Sequence, residues 1–296
     1  MPLWIAATLF ASAVQALRFL LQKRLSATGA GPVAATFARF VYAPFALGIG
    51  LAIWVASGGP FPAMAPGFWP FAVAGGVSQI LATVLVVATF SRANFAVGNA
   101  LSKTAVLMTV VVGFVLLGER PTAADIAAIA VCVAGVVILS VPRGVRWQAA
   151  IRDRAVLYGL GAGAFFAVSG VSYRGASLAV LSDEALLRAA VTLFFVTGLQ
   201  TLLLLAWLGW RDRPALSAVA RAWRTSAAIG LTSMLGSLGW FTAYTLQQAA
   251  LVNAVGQVEL ILSLAISALL LGETVTRREV AGVALIGGSV AALLIG

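Results

Sequence analysis

The residues most able to do chemistry in this sequence are two charges set in apolar surroundings. Lys103 sits in "VGNALSKTAVLMTV", with no other charge for ten residues on either side. Glu259 sits in "NAVGQVELILSLAI" and is similarly isolated. An ammonium in such a run needs a carboxylate, a bound solute or a wet cavity, and a carboxylate there needs a cation or a proton. Two uses follow. Lys103 and Glu259 form a salt bridge that neutralises both, or they face solvent-filled space, where Glu259 binds an ammonium or a proton and Lys103 binds a carboxylate.

Composition says what kind of protein must hold these charges. The chain has 296 residues, of which 61% are hydrophobic and 9% charged. Soluble domains carry about a quarter charged residues, so lipid is the solvent that fits. There is no histidine and a single cysteine, Cys132. A disulfide framework and any histidine-based triad or metal site are therefore excluded, and no cofactor is expected. Ser102 and Lys103 are adjacent, and adjacent helical residues do not face each other, so they do not make a serine–lysine dyad. The chain shows no nucleotide-binding Gly-rich signature, which argues against ATP hydrolysis. Its net charge of +10 lies at the ends of apolar runs, which is the mark of a membrane protein's inner face rather than of nucleic-acid binding.

The elements that must position the two charges are membrane-spanning helices. Ten spans are expected, near 3–22, 33–57, 69–92, 95–117, 122–141, 155–178, 185–210, 225–246, 249–271 and 277–295. The first reads as a retained helix, because no basic segment precedes it. Lys103 then lies midway along span 4 and Glu259 midway along span 9. The chain also repeats itself with an offset of 154 positions: Asn99-Ala100 falls on Asn253-Ala254, Leu116-Leu117-Gly118-Glu119 on Leu270-Leu271-Gly272-Glu273, and Asp125 on Glu279. This gives an all-α integral membrane fold of two inverted five-helix repeats, residues 1–141 and 155–296, joined by a basic loop at 142–154. Lys and Arg concentrate in the loops after odd-numbered spans. The positive-inside rule puts those loops in the cytoplasm and both termini outside, with a bacterial inner membrane as the expected location.

Arg39-Phe40 near the start of span 2, "LLGERPTAADIAAIAVCVAGVVIL" closing the first repeat and its partial copy from Leu270 resemble the drug/metabolite transporter superfamily, EamA type, over essentially the whole chain. That resemblance implies a secondary transporter of small metabolites, such as amino acids, organic cations or related amphipathic solutes. It implies export by alternating access around a central cavity, proton-coupled or facilitative, and no enzyme activity. Members often have a proline about twelve residues before each Gly-Glu, where this chain has Val106 and Leu260, so the usual cause of a helix break is missing. Members also commonly have cytoplasmic termini, whereas the charges here place them outside.

A substrate site is expected from Lys103, Glu259, Asn99, Asn253, Gln257, Gln15, Gln79, Trp240 and Tyr244, with Ser102 and Thr83 nearby. Arg18, Arg39 and Arg188 are candidate gating residues, although an arginine at a span end also snorkels to headgroups. Glu119 and Glu273 suit turns between helices better than binding. Ala130 with Ala134, and Ala284 with Gly288, have the small-residue spacing of helix packing and suit spans 5 and 10 to packing or to a homodimer face. The competing class is a membrane assembly subunit, with an intramembrane enzyme a distant third.

Overall fold

A backbone in lipid must satisfy its own hydrogen bonds, so apolar runs become helices. The computed structural model describes residues 1–26, 32–90, 101–141, 154–271 and 275–295. Its elements are α1 (Leu3–Ser26), α2 (Pro32–Val41), α3 (Ala43–Ala56), α4 (Phe68–Phe90), α5 (Ala105–Leu117), α6 (Ala123–Ser140), α7 (Arg154–Leu178), α8 (Ala185–Arg211), α9 (Arg213–Arg221), α10 (Trp223–Leu246), α11 (Ala249–Gly256), α12 (Val258–Leu271) and α13 (Arg277–Ile295). Among the described residues six stretches are long and apolar enough to cross a membrane: Thr36–Ala56, Phe68–Val86, Ala123–Ser140, Arg154–Leu178, Ala185–Arg211 and Ala249–Ile266. Leu3–Arg18 and Ala105–Leu117 are shorter apolar helices.

The chain folds into two compact units that do not coincide with the halves of the sequence. One unit comprises Met1–Val77 and Ser172–Leu246, the other Ser78–Val171 and Gln247–Gly296. Each therefore takes elements from both repeats.

In the first unit α1 lies along α10, and glycine sets the closeness. A Cβ on Gly239 would stand 2.9 Å from the Ala7 carbonyl oxygen, and one on Gly236 would meet Val14 at 3.5 Å. The second apolar run is interrupted at Tyr42, where α2 gives way to α3, whose first turn contains Pro44. A proline inside a helix removes a hydrogen bond, so the interruption has a local cause. Phe68, Trp69, Phe194 and Phe195 pack edge to face, with centroids 5.1 to 5.7 Å apart. The segments before α4 and after α7 are tied by two backbone bonds, Ala65 N–H to Ala179 O and Leu181 N–H to Ala63 O, each 2.8 Å. The short helix α9 falls in what the sequence reading treats as a plain loop.

In the second unit α6 and α13 cross at a glycine pair. A Cβ on Gly135 would stand 2.9 Å from the Gly282 carbonyl oxygen. Ala130, Ala134, Ala284 and Gly288 are instead exposed, so their spacing does not build this seam. The two helices start alike. The Thr122 hydroxyl accepts from the Asp125 amide at 3.2 Å, and the Asp125 carboxylate accepts from the Thr122 amide at 2.8 Å. Thr276 and Glu279 repeat this reciprocal cap at 3.3 and 2.7 Å. The pairing of Asp125 with Glu279 is thus a matched helix start. Before the first cap, α5 ends on Gly118 at φ 67°, with the Gly118 amide on Phe114 O and the Glu119 amide on Gly113 O. The Glu119 side chain folds back over Gly113, where a Cβ would meet Oε2 at 2.7 Å. The expectation that Glu119 shapes a turn agrees with this geometry.

Candidate functional site

Lys103 and Glu259 belong to the same compact unit, and each marks a place where a membrane helix is interrupted. In the described part of the fourth apolar run, Leu101 and Ser102 are helical, Lys103 and Thr104 form a turn, and α5 begins at Ala105. In the ninth, α11 ends at Gly256 and α12 begins at Val258, with Gln257 between. The offset of 154 positions that aligns the repeats carries Lys103 onto Gln257, so the two breaks are equivalent.

Their hydrogen bonding is equivalent too. The Val106 amide bonds to Lys103 O at 3.4 Å, and the Leu260 amide to Gln257 O at 2.9 Å. These are bonds to the third residue back instead of the fourth, a local tightening that often marks a functional hinge. Val106 and Leu260 are the positions at which proline is missing, and the breaks form without it. Side chains supply the cause by competing for backbone carbonyls. Gln257 Nε2 donates to Asn253 O at 3.1 Å, occupying the acceptor that the Gln257 amide would use in a regular helix. That amide bonds Ala254 O at 3.1 Å instead. Thr104 Oγ1 donates to Leu101 O at 2.6 Å, and the Thr104 amide shares that acceptor at 3.1 Å. Gly163 of α7 makes room at the first break: a Cβ there would meet Ser102 O at 3.3 Å and Ala105 N at 3.4 Å.

The backbone stays right-handed helical through both places, with φ −64° at Thr104 and φ −65° at Gln257, so each is a tightened turn that interrupts the regular bonding pattern. Glu259 lies in the first turn of α12, and it is buried at 7% exposure. Lys103 directly follows Ser102 at the first tightened turn, and it is half-buried. Among the described residues Lys103 forms no salt bridge. Around the breaks, Asn253 Nδ2 donates to Thr109 Oγ1 at 3.0 Å, joining α11 to α5. Gln257 Oε1 is buried with no hydrogen-bond partner. Ser102 is buried at 5% exposure. In the same unit Ser169 Oγ donates to Gln79 Oε1 at 2.9 Å, and Thr83 Oγ1 to Gln79 O at 2.8 Å. Asn99 and Glu273 lie outside the described residues.

The other expected residues belong to the first unit. Arg18, on α1, is 4% exposed, making Arg18 and Glu259 the two buried charged residues among those whose side chains are described. Lys103 is thus not the most deeply set cation. Gln15 is half-buried one turn earlier on α1. The Arg39 guanidinium stands 5.0 Å from the centroid of the Phe40 ring. Arg188 Nε donates to Ser177 O at 2.9 Å, closing the last turn of α7. A cation at a helix C-terminus stabilises it, so this bond gives Arg188 a capping role. Trp240 stacks on Tyr244 with centroids 6.0 Å apart.

Two residues in this unit escape the sequence reading. Arg174 lies within the span expected at 155–178 and is not singled out there, yet its Nη1 donates to Tyr244 O at 2.6 Å near the end of α10. Gln200 is 1% exposed and donates through Nε2 to Gly76 O at 3.1 Å and Tyr173 Oη at 3.2 Å. An amide inside the apolar run "FFVTGLQTLLLL" is the signal by which it could have been found.

The repeats seen in the residues are also seen in comparison with known proteins. Residues 2–141 and 153–295 each match the model of the EamA-like transporter family. The chain belongs to that family. As an EamA-like protein it is a membrane transporter of small solutes, from a family that is not one of enzymes. A solved structure described only as "Crystal structure of protein" is similar with a TM-score of 0.70 and 18% identity, covering 98% of this chain and 99% of that one. At that identity the likeness is one of fold. No curated protein matches the chain.

Proposed function

We propose that this EamA-like chain is a secondary carrier of small amphipathic metabolites, with amino acids and organic cations as the leading classes. Its solute or proton site is the pair of helix breaks at Lys103–Thr104 and Gln257. The observation that carries the reading is that the two breaks are related by the repeat and have opposite charges at or beside them, Lys103 at the first and Glu259 two residues after the second. An interrupted helix inside a membrane exposes backbone donors and acceptors, which is tolerated where they meet a partner or line water. Discontinuous helices are a recurrent way for transporters to hold charged groups of solutes near the bilayer midplane. Here Glu259 takes an ammonium or a proton, Lys103 takes a carboxylate, and the Gln257 amide oxygen supplies an unused acceptor. A zwitterion fits both ends.

The chain has ten spans in this reading, arranged as inverted repeats at 1–141 and 155–296 and working by alternating access. Both termini lie outside an inner membrane of bacterial type. Transport is coupled to protons through Glu259 or runs down the solute gradient.

The test is counterflow. Purified protein in liposomes preloaded with unlabelled solute is assayed for transient accumulation of the labelled form, across amino acids, polyamines and quaternary amines. At least one zwitterion or organic cation should show counterflow, and an imposed pH gradient separates the coupled from the facilitative form. Absence of counterflow across all three classes, with folded protein correctly inserted, would favour the assembly-subunit reading.

A further inference from the structure

We propose that the segment 207–224, the end of α8 with α9 and the start of α10, is a binding surface for anionic phospholipid headgroups. It lies wholly in the first unit and outside the groups assigned to solute binding. Its sequence is WLGWRDRPALSAVARAWR, with arginines 211, 213, 221 and 224 against one acid, Asp212. That acid is already used. Asp212 Oδ1 accepts from the Ala215 amide at 3.2 Å, as the N-cap of α9.

The segment is anchored and not a loose basic tail. Val219 on the inner face of α9 is 4% exposed, and Ser226 Oγ donates to Val219 O at 3.1 Å, fixing the far end. The four arginines are exposed. Arg213 Nε donates to Gly209 O at 2.9 Å, leaving its terminal nitrogens as donors. The Arg211 guanidinium sits 5.1 Å over the Trp210 ring and that of Arg224 sits 5.5 Å over Trp223. Contact with a ring face uses no N–H donor, so these guanidiniums stay free to bind phosphate by two hydrogen bonds. Trp210 is 79% and Trp223 58% exposed. Indoles favour the headgroup level of a bilayer, and a seated short helix with arginine on its open face lies along that interface. Cationic donors at the headgroup level match a lipid phosphate bearing net negative charge; a zwitterionic headgroup offers the same phosphate with its charge cancelled.

The experiment uses the full chain in a neutral detergent, with thermal unfolding followed as lipid is titrated. Dioleoylphosphatidylglycerol should stabilise saturably. Dioleoylphosphatidylcholine and soluble glycerophosphoglycerol should not. The double variants R211Q/R213Q and R221Q/R224Q should each raise the half-stabilising phosphatidylglycerol concentration about tenfold or more. The charge-matched variant R277Q/R278Q, in the other unit, should shift it less than about twofold. Equal stabilisation by phosphatidylcholine, an equal effect of the soluble headgroup, or an equal loss in the control variant would each overturn the proposal. Should either arginine variant not fold, tryptophan quenching of the unmodified chain by brominated lipids decides. Quenching by brominated phosphatidylglycerol must exceed that by the phosphatidylcholine form and fall toward it in roughly 0.5 M salt, where the Debye length is only a few ångströms; equal quenching at low salt overturns it.

Discussion

Replacing Gly135 by alanine tests the packing of α6 on α13. The added Cβ would stand 2.9 Å from the Gly282 carbonyl oxygen, 2.9 Å from Ile286 Cγ1 and 3.0 Å from Leu285 Cβ. The first of these is backbone and cannot rotate away, so the helices must separate. Overpacking of this kind costs about 1–3 kcal/mol, against a gain of at most about 1 kcal/mol from alanine's better helix propensity. The net loss is about 1–2 kcal/mol, or a fall of roughly 2–8 °C in apparent Tm for a chain of this size. Gly288→Ala is the control on the partner helix, because a Cβ there meets nothing within 4 Å. It should leave the apparent Tm unchanged or raise it. Both variants are read in the same detergent at one scan rate, since unfolding of such proteins is commonly irreversible. If Gly135→Ala is neutral while Gly288→Ala is destabilising, the seam runs through the exposed small-residue face and not through the Gly135–Gly282 crossing.

Three further outcomes follow from particular residues. Gly118→Ala places a side chain at φ 67° and should cost about 1 kcal/mol, read as a lower apparent Tm with unchanged transport. Thr276→Val removes the hydroxyl of an exposed capping box and should cost about 0.5–2 kcal/mol by the same assay, whereas Thr276→Ser should cost little. A reporter fused after Gly296 should behave as periplasmic and one inserted near Arg146 as cytoplasmic; the opposite pair of results would overturn the orientation drawn from the lysine and arginine distribution.

Much of the architecture was legible because it follows from composition and repetition. Apolar runs of membrane length can only be helices, and the recurrence of Asn-Ala and Leu-Leu-Gly-Glu exposes the duplication. The equivalence of Asp125 and Glu279 was visible as an alignment, but its meaning as a cap appears only with Thr122 and Thr276 in place. The helix breaks were not legible. Proline is the sequence's usual sign of an interruption, and Val106 and Leu260 carry none. Here the interruption depends on Thr104 and Gln257 turning back onto carbonyls, and the same residue types pass unnoticed in unbroken helices. The interleaving of both repeats in each compact unit was hidden for another reason. Sequence order records which helices are neighbours along the chain, and close packing such as that of α1 on α10 depends on small residues whose facing partners are far away in sequence. Of the charges, Glu259 was found because it is alone in its run. Arg18 was underweighted because it lies near the basic end of a long first helix.

In the proposed function, Lys103 and Glu259 serve one solute or proton site at paired helix breaks. The most direct measurement is a double-mutant cycle on Lys103→Met and Glu259→Gln, with counterflow and detergent-state thermal stability read for all four proteins. Each single variant should insert and lose counterflow. The double variant should recover stability relative to the singles, since no lone charge remains, and should still fail to transport. Recovery of transport in the double variant would make the two charges a structural pair. Normal counterflow in either single variant, or strictly additive losses, would contradict the account and move the site to other residues.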